Sequence, residues 1–338
     1  MANPHIFHFL EQSPQIKCLK GSRTDAWKSQ FPVLDGMALS LLSLDPKGQR
    51  EPHWHPNANE LGYCLAGKGL MTVLSPGGIH DTFTLEPGVI AFVPRGSIHY
   101  IENIGTEPLK LLLCFNHDSP EDLSLSSSLG AMSDKVLGAT VNLEPAFFEK
   151  LPKSVKPVFI TEKQFSATAE PDQQTNRLKV NLDAIQAQIY NQGGWVKPAN
   201  KTLLPTLDGL AVFRVKLKKN GIREPHWHPN AHELNYLMSG SARITLLSPI
   251  NKVETFDLKA GDISFLPRGY LHHIENTGDD PAEFAVFFGH ESPSDIGLSA
   301  CLGAFENEVI GSMYDLPAFY FNGLTKFQED RFIVRELL

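Results

Sequence analysis

The stretch Glu51-Pro52-His53-Trp54-His55-Pro56-Asn57-Ala58 recurs letter for letter as Glu224-Pro225-His226-Trp227-His228-Pro229-Asn230-Ala231. A Glu follows each copy two positions on, Glu60 and Glu233, and a third His arrives later inside Pro-Arg-Gly-x-x-His, at His99 and His272. One offset relates every pair: 226 − 53, 228 − 55, 233 − 60 and 272 − 99 are all 173. On a strand, residues i and i+2 share a face, so His53 and His55 aim at one point while Trp54 faces away. The short Pro56–Asn59 insert turns the chain so that Glu60 can reach the same place, and His99 comes from a distant strand. Three imidazoles and one carboxylate around a six-coordinate ion leave two positions open. The donor set suits Mn, Fe, Ni, Cu or Zn and carries no thiolate. A constant offset across four ligand positions implies two metal sites in a duplicated chain.

The repeat reaches beyond these motifs. Pro32-Val33-Leu34-Asp35-Gly36 matches Pro205-Thr206-Leu207-Asp208-Gly209, and Gly67, Gly88 and Gly105 match Gly240, Gly261 and Gly278. Farther on, Phe115, His117, Ser119, Pro120 and Asp122 match Phe288, His290, Ser292, Pro293 and Asp295. The matched region runs from about 21 to 148 and from about 194 to 321. The polar stretch Ala167–Gln174 between the copies reads as a linker, and the chain divides into residues 1–165 and 166–338. Within each copy, short apolar runs alternate with Gly/Pro/Asn turns, as in Leu61–Leu65, Leu70–Leu74, Thr82–Leu85, Val89–Val93 and Leu109–Phe115. This predicts an all-β sandwich or barrel. The Ser/Ala/Leu-rich stretches 123–137 and 298–310 predict small helices after each one.

The bulk numbers agree with that reading. The chain has 338 residues, 42% of them hydrophobic, and a formal net charge of −8. That is enough for two ordinary cores and argues against disorder. The basic residues form no stripe, so no nucleic-acid partner is expected. No apolar run approaches a membrane span and no signal peptide is read at the N-terminus, so the expected location is the cytoplasm. Cys18, Cys64, Cys114 and Cys301 form no Cys-x-x-Cys and do not repeat, which argues against a disulfide framework or zinc ribbon. His5, His8 and His80 have no partner in the repeat. His232 and His273 adjoin ligand positions and read as facing away from them. His117 and His290 do correspond, and read equally as strand-end residues or as groups behind a ligand.

At these residues the chain resembles the bicupins of the cupin superfamily. The His-x-His-x4-Glu-x6-Gly pattern spans His53 to Gly67. The second motif, Gly-x5-Pro-x-Gly-x2-His, spans Gly88 to His99 and again Gly261 to His272. The resemblance implies two tandem double-stranded β-helix (jelly-roll) barrels, each with one metal held by His53, His55, Glu60 and His99, or by His226, His228, Glu233 and His272. By pattern the chain looks like oxalate decarboxylases and germin-type proteins; Arg-x-x-His-Trp-His, here Arg50 to His55 and Arg223 to His228, is the decarboxylase-like piece. In those enzymes the Arg lies beside the metal and binds a carboxylate, a task suited to a permanently charged bidentate donor. A lid Glu some way downstream of the third His donates a proton there. Glu121 stands at the corresponding place after His99, and its counterpart in the second repeat is Ser294, which favours the first site as the catalytic one. The family's Ser-Glu-Asn-Ser-Thr lid does not occur in this chain.

The resemblance implies a manganese- and dioxygen-dependent decarboxylase of oxalate or a similar small carboxylate, giving formate and carbon dioxide, with two metal sites per chain. The alternatives are another cupin oxidoreductase, such as an oxalate oxidase or dioxygenase, and a non-catalytic, storage-like metal-binding bicupin. Self-association into a homo-oligomer is left open.

Overall fold

A computed structural model describes residues 3–164 and 176–336; the linker at 167–174 lies outside the described residues. The first barrel is built from β1 (Gly21–Ala26), β2 (Ala38–Leu44), β3 (Gly48–Trp54), β4 (Glu60–Ala66), β5 (Gly69–Ser75), β6 (Ile79–Leu85), β7 (Val89–Val93), β8 (Ile98–Asn103) and β9 (Leu109–Phe115). One sheet has the order β7-β4-β9-β2-β1, lengthened by Lys179–Asn181 beside β7 and Ile16–Cys18 beside β1. The other has the order β3-β8-β5-β6, with Leu123–Ser124 and Ile160–Glu162 on β3. The second barrel repeats this with β10 (Gly194–Ala199), β11 (Ala211–Leu217), β12 (Gly221–Trp227), β13 (Glu233–Ser239), β14 (Ser241–Leu247), β15 (Val253–Lys259), β16 (Ile263–Leu266), β17 (Leu271–Asn276) and β18 (Ala282–Phe288). Its sheets run β16-β13-β18-β11-β10 and β12-β17-β14-β15.

Each barrel has its own core. In the first, Leu42, Met71, Phe83, Leu111 and Phe115 come from both sheets. In the second, Leu217, Ile244, Leu246, Phe284 and Phe288 do the same. The β4–β5 hairpin turns at Gly67 with φ +83°, where a Cβ would sit 2.6 Å from the Pro108 carbonyl oxygen; Gly240 repeats this with φ +82° and Pro281. Only glycine fits such a turn.

The expected helices form as pairs, Leu125–Ala131 with Asp134–Val141 and Leu298–Ala304 with Asn307–Tyr314. Ser133 caps the second helix by accepting the Val136 N–H, while the equivalent break in the second repeat forms without a side-chain cap at Glu306. Among the described residues no helix is long and apolar enough to cross a membrane, and all four cysteines are free.

The repeat is longer than the matched letters. Ile6–Phe7 pairs with β16, Ile6 opposite Ser264, and Lys179–Asn181 pairs with β7, Lys179 opposite Ala91. Ile6 and Lys179, like Ala91 and Ser264, are related by the offset of the ligand motifs, so the two arms are equivalent. At the other end, Ile160 pairs with Arg50 and Ile333 with Arg223, again one repeat apart. Backbone pairing fixes the register of each arm without matching letters, so 6–7 and 179–180 diverge, although Ile6 and Leu178 still pack against the two cores. The compact units are therefore not contiguous in sequence. One joins the chain up to Leu10, Ile185–Leu203 and Ala211 onward; the other joins Glu11–Ala184 and Leu204–Leu210. A division at 165/166 keeps each arm with its own repeat, whereas backbone pairing gives it to the other.

Candidate metal centres

The first ligand set comes from one end of the first barrel. His53 lies on β3, His55 just beyond its end, Glu60 opens β4, and His99 on β8 stands directly opposite His53. The turn before His99 is pinned to the site by the Gly96 N–H, which donates to the His55 carbonyl at 3.0 Å. All four side chains are buried, and their candidate ligand atoms lie within 4.8 Å of one another. Glu60 Oε2 is 3.0 Å from His55 Nε2 and 3.6 Å from His99 Nε2. The second set, His226, His228, Glu233 and His272, has the same arrangement and burial.

Backbone carbonyls orient every imidazole. The Nδ1–H groups of His53, His55 and His99 face the carbonyls of Glu51 at 2.8 Å, Glu121 at 2.8 Å and Ser97 at 3.2 Å. In the second barrel, His226, His228 and His272 face Glu224 at 2.7 Å, Ser294 at 3.0 Å and Tyr270 at 2.9 Å. With Nδ1 so engaged, each Nε2 is turned inward, the orientation a metal requires. His99 Nε2 and His272 Nε2 are buried without a hydrogen-bond partner in the protein, and a coordinated ion would satisfy both. Burial, and next to it Arg50, holds His53 well below its usual pKa, so it stays neutral; His226 behaves likewise beside Arg223. His55 and His228 go the other way: burial lowers them, but the hydrogen bonds and charges of Glu60 and Glu233 raise them on balance. A bound ion takes the place of the proton that each of these pairs shares. Burial would raise the Glu60 and Glu233 carboxyls, but the surrounding His rings hold both well below the ordinary range, so they are ionised as ligands must be. These are two three-His, one-Glu metal sites.

Arg50 reaches the site through a bulge. Residues 50 and 53 are three apart and would face opposite sides of a regular strand. The pairing of β3 with β8 shifts between His99/His53 and Ile101/Arg50, giving β3 one extra residue there, and β12 shifts identically between Arg223 and His226. Pro52 and Pro225 sit in these bulges, where a missing N–H costs little. The bulge turns Arg50 and Arg223 inward, 3% and 5% exposed.

Both arginines are gripped by residues outside the ligand motifs. Arg50 Nη2 donates to Asp122 Oδ1 at 2.8 Å, and Arg223 Nη2 to Asp295 Oδ1 at 2.5 Å. Burial would raise the Asp122 carboxyl, but Arg50, His55 and Arg23 bring it below the ordinary value. Phe159 stacks on the Arg50 guanidinium at 3.7 Å and Phe332 on that of Arg223 at 3.4 Å. Both phenylalanines have positive φ, +70° and +63°, a strained conformation for a bulky residue. The Phe159 N–H donates to buried Glu51 at 2.6 Å, and the Phe332 N–H to Glu224 at 2.5 Å. The constant offset between the repeats carries through Asp122/Asp295 and Phe159/Phe332, and it is the signal in the sequence that points to them.

The two centres differ in detail. Asp122 is also bound by Arg23 Nη1 at 2.9 Å, and Val196 stands where the second repeat would have that Arg. Arg50 Nη1 is buried without a hydrogen-bond partner, whereas Arg223 Nη1 donates to the Phe332 carbonyl at 3.1 Å. The Glu121 side chain is exposed; its N–H donates to Asn57 Oδ1 at 2.9 Å and its carbonyl faces the His55 ring. His117 and His290 accept the N–H groups of Ser119 and Ser292 in exposed turns and are turn residues. His5 Nδ1 bonds the Phe265 carbonyl, and His232 stacks on Phe265.

Barrels of this topology with a three-His, one-Glu centre define the cupins, and the chain belongs to the cupin family, whose profile matches residues 7–147 and 180–318. Oxalate decarboxylase OxdC of Bacillus subtilis (strain 168) is 27% identical over 311 residues, covering 88% of this chain and 78% of that protein. Germin-like protein 5-1 of Oryza sativa subsp. japonica is 34% identical over 119 residues, 35% of this chain and 54% of that protein. The solved structure of the Bacillus subtilis decarboxylase at pH 4.6 superposes with a TM-score of 0.88 at 24% identity, covering 100% of this chain and 88% of that one. The chain is a bicupin with two metal sites.

Proposed function

We propose that this bicupin is a manganese- and dioxygen-dependent decarboxylase of oxalate or a similar small carboxylate, giving formate and carbon dioxide, with the first centre as the reacting one. One observation carries the choice of substrate class and site. Arg50, buried beside the His53/His55/Glu60/His99 set, has one guanidinium nitrogen without a partner, a donor free to receive a carboxylate. Similarity to oxalate decarboxylases supports the substrate, and a solved structural relative carries Mn(II) centres. When bound, the metal supplies Lewis acidity and redox chemistry toward dioxygen.

The protein's own groups do the rest. Arg50 binds and orients the carboxylate, Phe159 covers the guanidinium and keeps water off it, and Asp122 holds the charge in register. The carbon–carbon bond of the substrate breaks, carbon dioxide leaves, and the remaining carbon takes a proton to become formate. In this reading Glu121 provides that proton once its exposed side chain rotates inward, with the Glu121 carbonyl and Asp122 kept in place. Arg223 serves the second centre in the same way as Arg50, with fewer free donors.

The test is metal analysis followed by incubation with oxalate under air. Manganese with formate and little peroxide is the expected result. Peroxide without formate makes the protein an oxalate oxidase, a reading favoured by the exposed position of Glu121, since an oxidase needs no proton-donating lid. Metal fully bound with neither product would refute both. Unchanged formate production by Glu121→Ala would remove Glu121 from the mechanism. Self-association is part of the proposal: the helical appendages expose Phe147, Phe319 and Tyr320 at 65%, 72% and 67%, and a second copy would cover them. Light scattering on the purified protein reads the mass directly.

A further inference from the structure

The two metal centres differ at one ligand. In the second, Asn235 Nδ2 donates to Glu233 Oε1 at 2.7 Å and also reaches Ser264 Oγ at 3.3 Å. Asn235 and Ser264 are fully buried and stand directly opposite each other on β13 and β16. The same cross-strand pair in the first barrel is Gly62 and Ala91, which carry no donor. There Glu60 Oε1 is buried with no hydrogen-bond partner. Both carboxylates offer Oε2 to the His cluster, at 3.0 Å from His55 and 2.7 Å from His228. Only Glu233 has its other oxygen tied. The Asn235 amide makes that contact while its own Oδ1 is left buried and unpaired. Leaving a buried acceptor unpaired costs about 1–3 kcal/mol, so an amide at this place is a burden on folding unless it serves the carboxylate.

We propose that Asn235, seated on Ser264, is a positioning residue that locks the Glu233 carboxylate, so that the second centre retains its metal while the first exchanges it readily. A ligand carboxylate fixed by a hydrogen bond loses little freedom on binding the ion and cannot rotate away from it. The Glu60 carboxylate, untethered, can swing and can change which oxygens it presents. Outer hydrogen bonds of this kind are worth about 10- to 100-fold in metal affinity. The proposal concerns retention of the ion and holds whatever the substrate.

The experiment uses the full-length protein loaded with manganese alone, challenged with excess chelator, with free Mn(II) followed by its paramagnetic resonance signal. Two release phases of equal size are expected, and His226→Ala should delete the slow one. Asn235→Gly should speed the slow phase about 10- to 100-fold. The reciprocal graft, Gly62→Asn with Ala91→Ser, should slow the fast phase. The backbone accepts it, because a Cβ at Gly62 would meet only Leu113 Cδ2 at 3.5 Å and the Ala91 oxygen at 3.7 Å, and Leu113→Val, the residue of the second repeat at Val286, gives the amide the same room. The graft keeps the test decisive should Asn235→Gly fold poorly. A single release phase in the unmodified protein, a slow phase that survives His226→Ala, or a graft that leaves the fast phase unchanged would each overturn the proposal.

Discussion

His53 and His226 are the ligands most firmly held neutral, each buried and each beside an arginine. His53→Ala should leave one bound metal per chain, and the double variant with His226→Ala none, by elemental analysis of the purified protein; two retained equivalents in the single variant would contradict the ligand assignment. Asp122 has a different signature. Its carboxyl is lowered in the folded state by Arg50, His55 and Arg23 against the upward push of burial. A lowered carboxyl adds stability that is fully present above its unfolded value, about 3.9, and is lost as pH falls through the folded value. Asp122→Asn should therefore be less stable than the parent by a constant amount above about pH 4, and the gap should close below it. A gap that persists into strong acid would show that the ion pairs are not its source. At this scale the ligands were legible because four residues kept one spacing twice. Asp122 was written in the same repeat, but the turn-like Asp118-Ser119-Pro120-Glu121-Asp122 reads as solvated loop, and only the fold shows which of its carboxyls faces inward.

Strands β3 and β12 each carry a bulge, and the bulge makes the site work as a unit. Without it the arginine would point out of the barrel. Its stacking partner comes from elsewhere: Phe159 enters just ahead of the strand Ile160–Glu162, with its backbone left-handed and its N–H fixed by Glu51. This yields a comparison. Phe159→Ala and Phe159→Gly both remove the stack on Arg50, but only Gly accepts the positive φ of this position without penalty. Phe159→Gly should be the more stable of the two by about 1 kcal/mol in chemical denaturation, and a more stable Phe159→Ala would mean that the backbone relaxes out of this conformation. The strands were legible from their apolar runs and Gly/Pro stops. The bulges were not, since Glu-Pro inside a run carries no mark of an extra residue. The helical stretch over 123–137 became two helices, as did its counterpart over 298–310, with a side-chain cap at Ser133 in the first repeat and none at Glu306 in the second.

Each ligand set lies wholly within one barrel, so each barrel is expected to gain stability from its own ion. A ligand bound only by the native state stabilises by an amount that grows with the logarithm of its free concentration. Chelation should lower the unfolding temperature, and manganese should restore it in a concentration-dependent way. A melting curve indifferent to both would mean that the centres form without the ion and gain nothing from it. The duplication was legible at this scale, but its ends were not, because the terminal strands of each repeat pair through their backbones and share almost no letters.

Those terminal arms have a consequence for the history and the handling of the chain. The arm of the first repeat, Ile6–Phe7, covers the edge of β16, and the arm of the second, Lys179–Asn181, covers the edge of β7. Severing the chain at the linker would leave each fragment with a bare sheet edge, the open row of N–H and C=O groups that invites another strand. The two fragments, produced together, are the natural remedy for one another. A solitary repeat has a remedy too, since an identical copy can lend the same arm in the same register. Joined end to end, such a swapped pair would become this bicupin.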